Sequence, residues 1–103
     1  MYRSLSSEMS KQSLFELLDV TLREVAHREK ANPGSYLTDL CVQLKDIKHT
    51  LQSYKTMIDW EDIYDKYNIN TVAGVYFAED EIMYGRLNDI FYGLVNYPYL
   101  QNA

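Results

Sequence analysis

The sequence predicts an all-α fold, a small antiparallel helical bundle of three long helices and one short helix. Two observations support this prediction. Apolar residues recur at intervals of three and four along most of the chain, which is the period of a helix with one buried face. Glycine and proline are scarce, at 4 and 2 of 103 residues, whereas a β-sandwich or barrel needs a turn signal about every 8–12 residues. The length suits a single domain over residues 1–103, with residues 1–6 and 97–103 loose.

The first helix is predicted to begin at a serine and to end at a proline-glycine turn. Ser13 and Glu16 have the spacing of a capping box, and Ser7 is an earlier candidate start. The apolar residues that follow on one helical stripe are Leu14, Phe15, Leu18, Leu22 and Val25. The segment 31–34, Ala-Asn-Pro-Gly, ends the helix because a residue before proline leaves the helical region and glycine permits the turn.

The second helix has the clearest pattern in the chain. Ser35 is its predicted N-cap. Its apolar residues form a narrow seam of alternating three- and four-residue steps: Leu37, Leu40, Leu44, Ile47, Leu51 and Tyr54. Because only a short turn separates it from the first helix, the two are predicted to pack as an antiparallel hairpin.

Two further helices are predicted in the second half of the chain. The third is short: Asp59 caps it, Asp62 lies in its first turn, and one face carries Trp60, Ile63, Tyr64 and Tyr67. The fourth runs from Thr71 to about Asn96 and is ended by Pro98. A strand over 71–77 followed by a helix from Asp80 is the alternative, because residues 71–77 are rich in β-branched and aromatic side chains. A helix is favoured because a lone strand has no partner elsewhere in the chain.

Composition excludes several classes of protein. The lone Cys41 cannot form an internal disulfide, and we expect it to act as a small buried hydrophobe. No apolar run reaches the length of about 18 residues that spans a membrane, and the first residues lack the apolar stretch of a signal peptide. These features favour a cytoplasmic protein. The net charge of −5 disfavours direct binding of nucleic acid.

The residues with metal-binding potential are two carboxylate-histidine pairs. Glu24 precedes His27 by three residues, as Asp46 precedes His49, and such pairs recur in helical-bundle metal sites. In the predicted hairpin, however, His27 lies level with about residue 39, which is about 15 Å along the helix from His49. A metal site is therefore the least favoured hypothesis. No nucleophile motif or phosphate-binding glycine loop occurs, so we expect neither enzymatic activity nor a cofactor.

Charge and tyrosine are concentrated in the second half of the chain. Residues 1–55 carry eight Lys/Arg and seven Asp/Glu, a net charge of +1, whereas residues 56–103 carry two and eight, a net charge of −6. Seven of the ten tyrosines also lie in residues 56–103. This composition suits contact with a basic protein, although a solvated acidic face that aids solubility has the same signature. The predicted function is a non-enzymatic interaction module, an adaptor, inhibitor or regulator.

The predicted partner-binding residues all lie on the fourth helix. Small residues opposite its core stripe permit close approach of another backbone, and an aromatic stripe flanks that core as either packing or a contact site. The residues are Gly74, Phe77, Ala78, Tyr84, Gly85, Phe91 and Tyr92. The alternative occupant of this face is a second copy of the chain, which gives a homodimer. Further alternatives are an inhibitor that mimics nucleic-acid charge and an immunity-type protein, the latter by analogy of size and helix plan alone.

Overall fold

The predicted all-α bundle is confirmed. The computed structural model describes residues 2, 4, 8–53, 63 and 65–102. Within these residues the chain forms three long α-helices and one short one, with a final turn of 3-10 helix. These elements are α1 (Lys11–Ala31), α2 (Tyr36–Gln52), α3 (Ile69–Tyr76), α4 (Glu81–Val95) and the 3-10 turn Tyr97–Tyr99. The α1 helix packs against both α2 and α4, and α3 packs against α4.

The N-cap of the first helix is Ser10, three residues before the predicted cap at Ser13. The Ser10 hydroxyl accepts the Ser13 N–H at 3.1 Å, and the Ser13 hydroxyl accepts the Ser10 N–H at 2.8 Å. The prediction placed the cap one turn too late. Ser13 belongs to the capping box, but as the third residue of the helix and not as the N-cap. Ser7, the earlier candidate, lies outside the described residues. The α1 side chains buried in the core are Leu14, Leu17, Leu18, Thr21 and Val25.

The hairpin of α1 and α2 forms as predicted. Gly34 takes a positive φ of 77°, which only glycine adopts without strain. Its N–H donates to the Thr38 hydroxyl at 3.1 Å, and that hydroxyl donates to Glu29 at 3.1 Å. Ser35 caps α2 by accepting the Leu37 N–H at 3.2 Å, so the predicted cap is confirmed.

Two contacts fix the register of this hairpin. Asp19 pairs with Lys48 at 2.5 Å, and Glu29 accepts the Thr38 hydroxyl. The residue numbers of each pair add up to 67. Residue 27 of α1 therefore lies level with about residue 40 of α2. The predicted seam of α2 is buried over its described length, Leu37, Leu40, Leu44, Ile47 and Leu51. Tyr54 lies outside the described residues.

The prediction of one helix from Thr71 to Asn96 is wrong, because two helices meet there at a sharp turn. The Phe77 N–H closes α3 on the Ala73 carbonyl at 3.0 Å, and the Asp80 N–H turns back to the Phe77 carbonyl at 3.0 Å. The Asp80 carboxylate then accepts the Met83 N–H at 3.2 Å and caps α4. The alternative of a strand over 71–77 is also wrong, although its helix start at Asp80 is correct. The break lets Phe77 bury its ring, which is 3% exposed.

The short helix predicted around residues 59–67 falls mostly outside the described residues, including Asp59, Trp60, Asp62 and Tyr64. Ile63 is helical and buried, and Asp65 and Lys66 are helical. The buried Tyr67 contacts α2 by donating its hydroxyl to Asp46 at 2.5 Å.

Residues near both ends of the chain contact the helices where the structure describes them. Tyr97 is buried and packs edge-on against Phe15, with ring centroids 6.4 Å apart. The Lys11 N–H donates to the Gln101 carbonyl at 2.8 Å, which ties the final residues to the start of α1. At the other end, Tyr2 contacts α4. That residues 1–6 and 97–103 are loose therefore stays a prediction, to be weighed against these contacts of the described residues.

Thr21 offers a direct test of the core. Its side chain is fully buried, and its hydroxyl has no hydrogen-bond partner within the described residues. A buried hydroxyl without a partner keeps its desolvation cost. We expect Thr21→Val, which keeps the shape, to raise the free energy of unfolding by about 1 kcal/mol in urea titration. Thr21→Ser keeps the hydroxyl and removes a methyl group, so it should destabilise the chain. A loss of stability in the Thr21→Val variant would contradict the assignment of the Thr21 hydroxyl as a buried group without a partner in the described residues.

Candidate functional site

The turn between α3 and α4 carries a shallow, open cleft that combines apolar and acidic side chains. We call its lining residues the acidic aromatic patch: Tyr76, Glu79, Asp80, Glu81 and Ile82. Tyr76 and Ile82 are 52% and 50% exposed, although both are large apolar residues. Three of the eight acidic residues of the segment 56–103, and one of its seven tyrosines, thus lie together at this turn.

Asp80 ties the patch to the first helix. Its carboxylate pairs with Arg28 of α1 at 3.0 Å, while Arg28 also binds Glu24 at 2.9 Å and lies 5.8 Å from the centre of the Phe77 ring. Burial alone would raise the pKa of the Asp80 carboxyl, but hydrogen bonds from the Met83 N–H and from Arg28 outweigh it and lower the pKa. Asp80 is therefore ionised and fixed in position.

Tyr76 is held by stacking. Its ring lies 3.9 Å from that of Tyr36 at the start of α2, with an angle of 5° between the two planes. The Phe77 ring meets Tyr36 edge-on at 5.8 Å. Because Tyr36 covers one face of the Tyr76 ring while half of the side chain stays exposed, the patch presents a rigid aromatic surface.

The remaining charge of the patch comes from two exposed glutamates. Glu81 accepts the Tyr2 N–H at 3.2 Å. Glu79 makes no hydrogen bond or ion pair to any residue that the structure describes. Because Arg28 neutralises Asp80, the patch keeps a formal charge of about −2 next to exposed aromatic and aliphatic surface, which suits a cationic group.

Substitution of Asp80 separates its two roles. Asp80→Ala removes both the cap of α4 and the ion pair, and should lower the free energy of unfolding by about 1–2 kcal/mol. Asp80→Asn keeps a capping oxygen and should lose about 0.5 kcal/mol or less, because the ion pair is one-third exposed. The difference between wild type and Asp80→Asn should disappear as the pH falls below about 4, because the ion pair, which lowers the folded-state pKa, acts only while the carboxyl is ionised. Equal losses for the two variants in urea titration at neutral pH would argue against the cap.

The predicted partner-binding residues do not form one surface. Phe77 and Phe91 are core residues, 3% and 9% exposed, whereas Tyr84 and Tyr92 are exposed at 44% and 42%. The aromatic stripe is therefore divided between packing and solvent, because only part of α4 faces α1 and α3.

The small residues of the predicted groove are also separated. Gly74 and Ala78 are exposed, but the break at 77–80 removes them from the helix that carries Gly85. Gly85 itself is covered by the Tyr2 ring. A close approach to Gly85 does occur, as its lack of a side chain predicts, but the approaching group is part of the same chain.

Sequence reasoning missed the buried Asp89 of α4, which is 5% exposed. The Tyr2 hydroxyl donates to it at 2.5 Å and the Ser4 hydroxyl at 2.7 Å. The signal was its position four residues from both Gly85 and Gly93, which places an acid between two small residues on one face.

The two carboxylate-histidine pairs are not brought together. His27 and His49 are exposed, and the register of the hairpin separates them by about nine residues, or about 13 Å. Glu24 binds Arg28 instead, and Asp46 binds Tyr67 and Lys66, with a lowered pKa caused mainly by the Tyr67 hydroxyl. The described part of the chain holds no group of three or more His, Cys, Asp or Glu side chains placed to bind a metal ion.

Cys41 is a buried thiol, as predicted. Burial raises the pKa of this thiol, and the nearby Glu29 adds to the effect. A thiol with a raised pKa is a weak nucleophile at neutral pH.

Comparison with known proteins adds no relative. The sequence matches no protein-family model, and neither a curated protein nor a solved structure matches it. In the described residues, every helix is too short or too polar to cross a membrane.

Proposed function

We propose that this chain is a non-enzymatic interaction module, an adaptor, inhibitor or regulator, that binds a basic protein partner through the acidic aromatic patch. The observation that supports the proposal is the open cleft at the α3–α4 turn, where the exposed Tyr76 and Ile82 flank Glu79 and Glu81. A cytoplasmic location belongs to the same proposal, because Cys41, the only cysteine, is a free thiol.

The cleft suits one kind of contact, an arginine or lysine with an aliphatic residue beside it. A guanidinium stacks on the exposed face of Tyr76 while it pairs with Glu79. The aliphatic neighbour packs on Ile82. This side chain is exposed to water in the free chain, so its burial against a partner is favourable. Charge pairs of this kind raise association rates and weaken with salt.

The patch is also preorganised. Tyr76 is stacked on Tyr36, and Asp80 is fixed by Arg28 and by the cap of α4. A rigid site loses less conformational entropy on binding than a mobile loop, so a small patch of this kind still gives useful affinity.

Site-specific photo-crosslinking in the native cells tests the proposal. A photo-reactive amino acid replaces Ile82 in one variant and Val42 of α2 in a control variant. Both positions are exposed helical residues, at 50% and 61%, so neither substitution disturbs the core. Mass spectrometry then identifies any protein captured at each position, in low and in high salt.

We expect one partner captured from position 82 and absent from position 42, with capture reduced at high salt. The captured protein, once purified, should bind the wild-type chain directly, with its contact mapped to a Lys/Arg-containing segment. Equal capture at both positions, or a contact that lacks basic residues, would contradict the proposal.

A further inference from the structure

The α4 helix carries a groove that is occupied by three described residues from near the start of the sequence. The groove is formed by four residues at a spacing of four: Glu81, Gly85, Asp89 and Gly93. The residues that contact it are Tyr2, Ser4 and Met9, which we call the leading segment. The groove thus contains two glycines and two acids in one row on the helix surface, which turns by about 40° around the axis at each step of four residues.

The contacts follow the groove from one end to the other. The Tyr2 N–H donates to Glu81, and its hydroxyl donates to Asp89. Its ring occupies the space that a side chain at Gly85 would need. Further along, the Met9 sulfur lies where a side chain at Gly93 would be, 2.5 Å from the ideal Cβ position. Tyr2 therefore lies against the first half of α4, and Met9 lies near its end.

Asp89, in the middle of the groove, accepts hydrogen bonds from two hydroxyl groups. The Asp89 carboxylate, 5% exposed, accepts the Tyr2 hydroxyl at 2.5 Å on one oxygen and the Ser4 hydroxyl at 2.7 Å on the other. Burial and then the hydrogen bond to Asp89 raise the pKa of Tyr2 well above its usual value, so the phenol stays a donor. Hydrogen bonds to a charged acceptor are about twice as strong as neutral ones. The two hydroxyls that Asp89 accepts thus come from a tyrosine and from a serine two residues later in the sequence.

We propose that the α4 groove is a peptide-binding site, with the chain's own leading segment as its resident ligand and the leading segment of a second copy as its occupant in trans. A second copy carries the same hydroxyls at the same spacing, so exchange between copies preserves every contact on the groove. The cost of exchange is then mainly the entropy of association. The proposal is independent of the partner at the acidic aromatic patch, although Glu81 belongs to both surfaces.

The test uses the full chain with its resident ligand weakened, Tyr2→Ala with Ser4→Ala, and ¹⁵N labelling for NMR. The probe is a synthetic peptide with the sequence of residues 1–9, and the control peptide carries Tyr2→Phe and Ser4→Ala. We expect saturable shifts at the amides of Gly85, Asp89 and Gly93, and at least about tenfold weaker binding of the control peptide, which lacks both hydroxyls. The wild-type chain should bind the probe more weakly than the variant, since a tethered ligand competes at an effective concentration of about a millimolar.

A variant that is folded but shows no saturable shift, or that binds both peptides equally, would overturn the site. If the double variant does not fold, the wild-type chain is titrated with the probe peptide carrying a nitroxide label. Broadening confined to the α4 amides would then support the site, and its absence would overturn it.

Sedimentation equilibrium tests the second copy as occupant. The mass of the wild-type chain should rise toward that of a dimer as its concentration approaches about a millimolar, and the Tyr2→Ala/Ser4→Ala variant should stay monomeric. A wild-type chain that stays monomeric, or a variant that dimerises equally, would overturn exchange between copies.

Discussion

Glu79→Lys is expected to weaken binding of the partner captured at position 82 by at least about tenfold, which corresponds to about 1.4 kcal/mol. Glu79 is exposed, and no residue that the structure describes pairs with it, so its charge is available to a partner cation. Reversal of the charge replaces attraction with repulsion. The lost attraction and the added repulsion each amount to about 0.2–1 kcal/mol for an exposed pair of charges, and to more when the contact excludes water. Titration calorimetry at two salt concentrations measures the change.

Glu16→Lys is the matched control. Glu16 lies on the exposed side of α1 and contacts Gln12, at 3.2 Å. Both variants change the net charge from −5 to −3, so a general electrostatic effect would weaken binding equally in the two. We expect Glu16→Lys to change the affinity by less than about twofold, as a distant charge is screened at physiological salt. Equal losses would assign the effect to net charge and contradict a local site.

The second large effect is on stability. Leu14→Ala should lower the free energy of unfolding by about 3 kcal/mol, because Leu14 is fully buried and its removal opens a cavity between α1 and α4. Val20→Ala on the same helix is the control: Val20 is 38% exposed, so its truncation should cost less than about 0.5 kcal/mol. Urea titration measures both.

Gly93 adds a sharper test of the same contact. A Cβ on Gly93 would lie 2.7 Å from the Leu14 Cδ1 and 2.5 Å from the Met9 sulfur, so Gly93→Ala crowds both side chains in the wild-type chain. This crowding offsets the gain of about 1 kcal/mol in helix propensity. Once Leu14 is shortened, the added methyl group has more room.

The two substitutions should therefore be non-additive. We expect Gly93→Ala to be close to neutral in the wild type and to restore about 1 kcal/mol to the Leu14→Ala variant. Strict additivity would show that Leu14 and Gly93 do not share this space.

The sequence alone determined the fold class and the α1–α2 hairpin. These features depend on local signals that survive in any tertiary context. Leu37, Leu40 and Leu44 repeat with the period of a helix, and Ser35 and Gly34 supply a cap and a positive φ at the turn. The exposure of His27 and His49 and the burial of Cys41 followed from the same helical faces.

Only the tertiary structure decided that the helix breaks at 77–80 and which residues cover the surface of α4. Both halves of segment 71–96 have helical periodicity, and the local signal for a second helix start, the capping residue Asp80, did not by itself separate a straight helix from two helices. The break is stabilised by distant residues, Arg28 on Asp80 and Tyr36 on Tyr76. The same holds for Gly85 and Asp89, whose partner Tyr2 lies more than eighty residues away in sequence. Contacts between residues so far apart in the sequence leave no periodic pattern in it, because they depend on how the helices pack and not on how each helix forms.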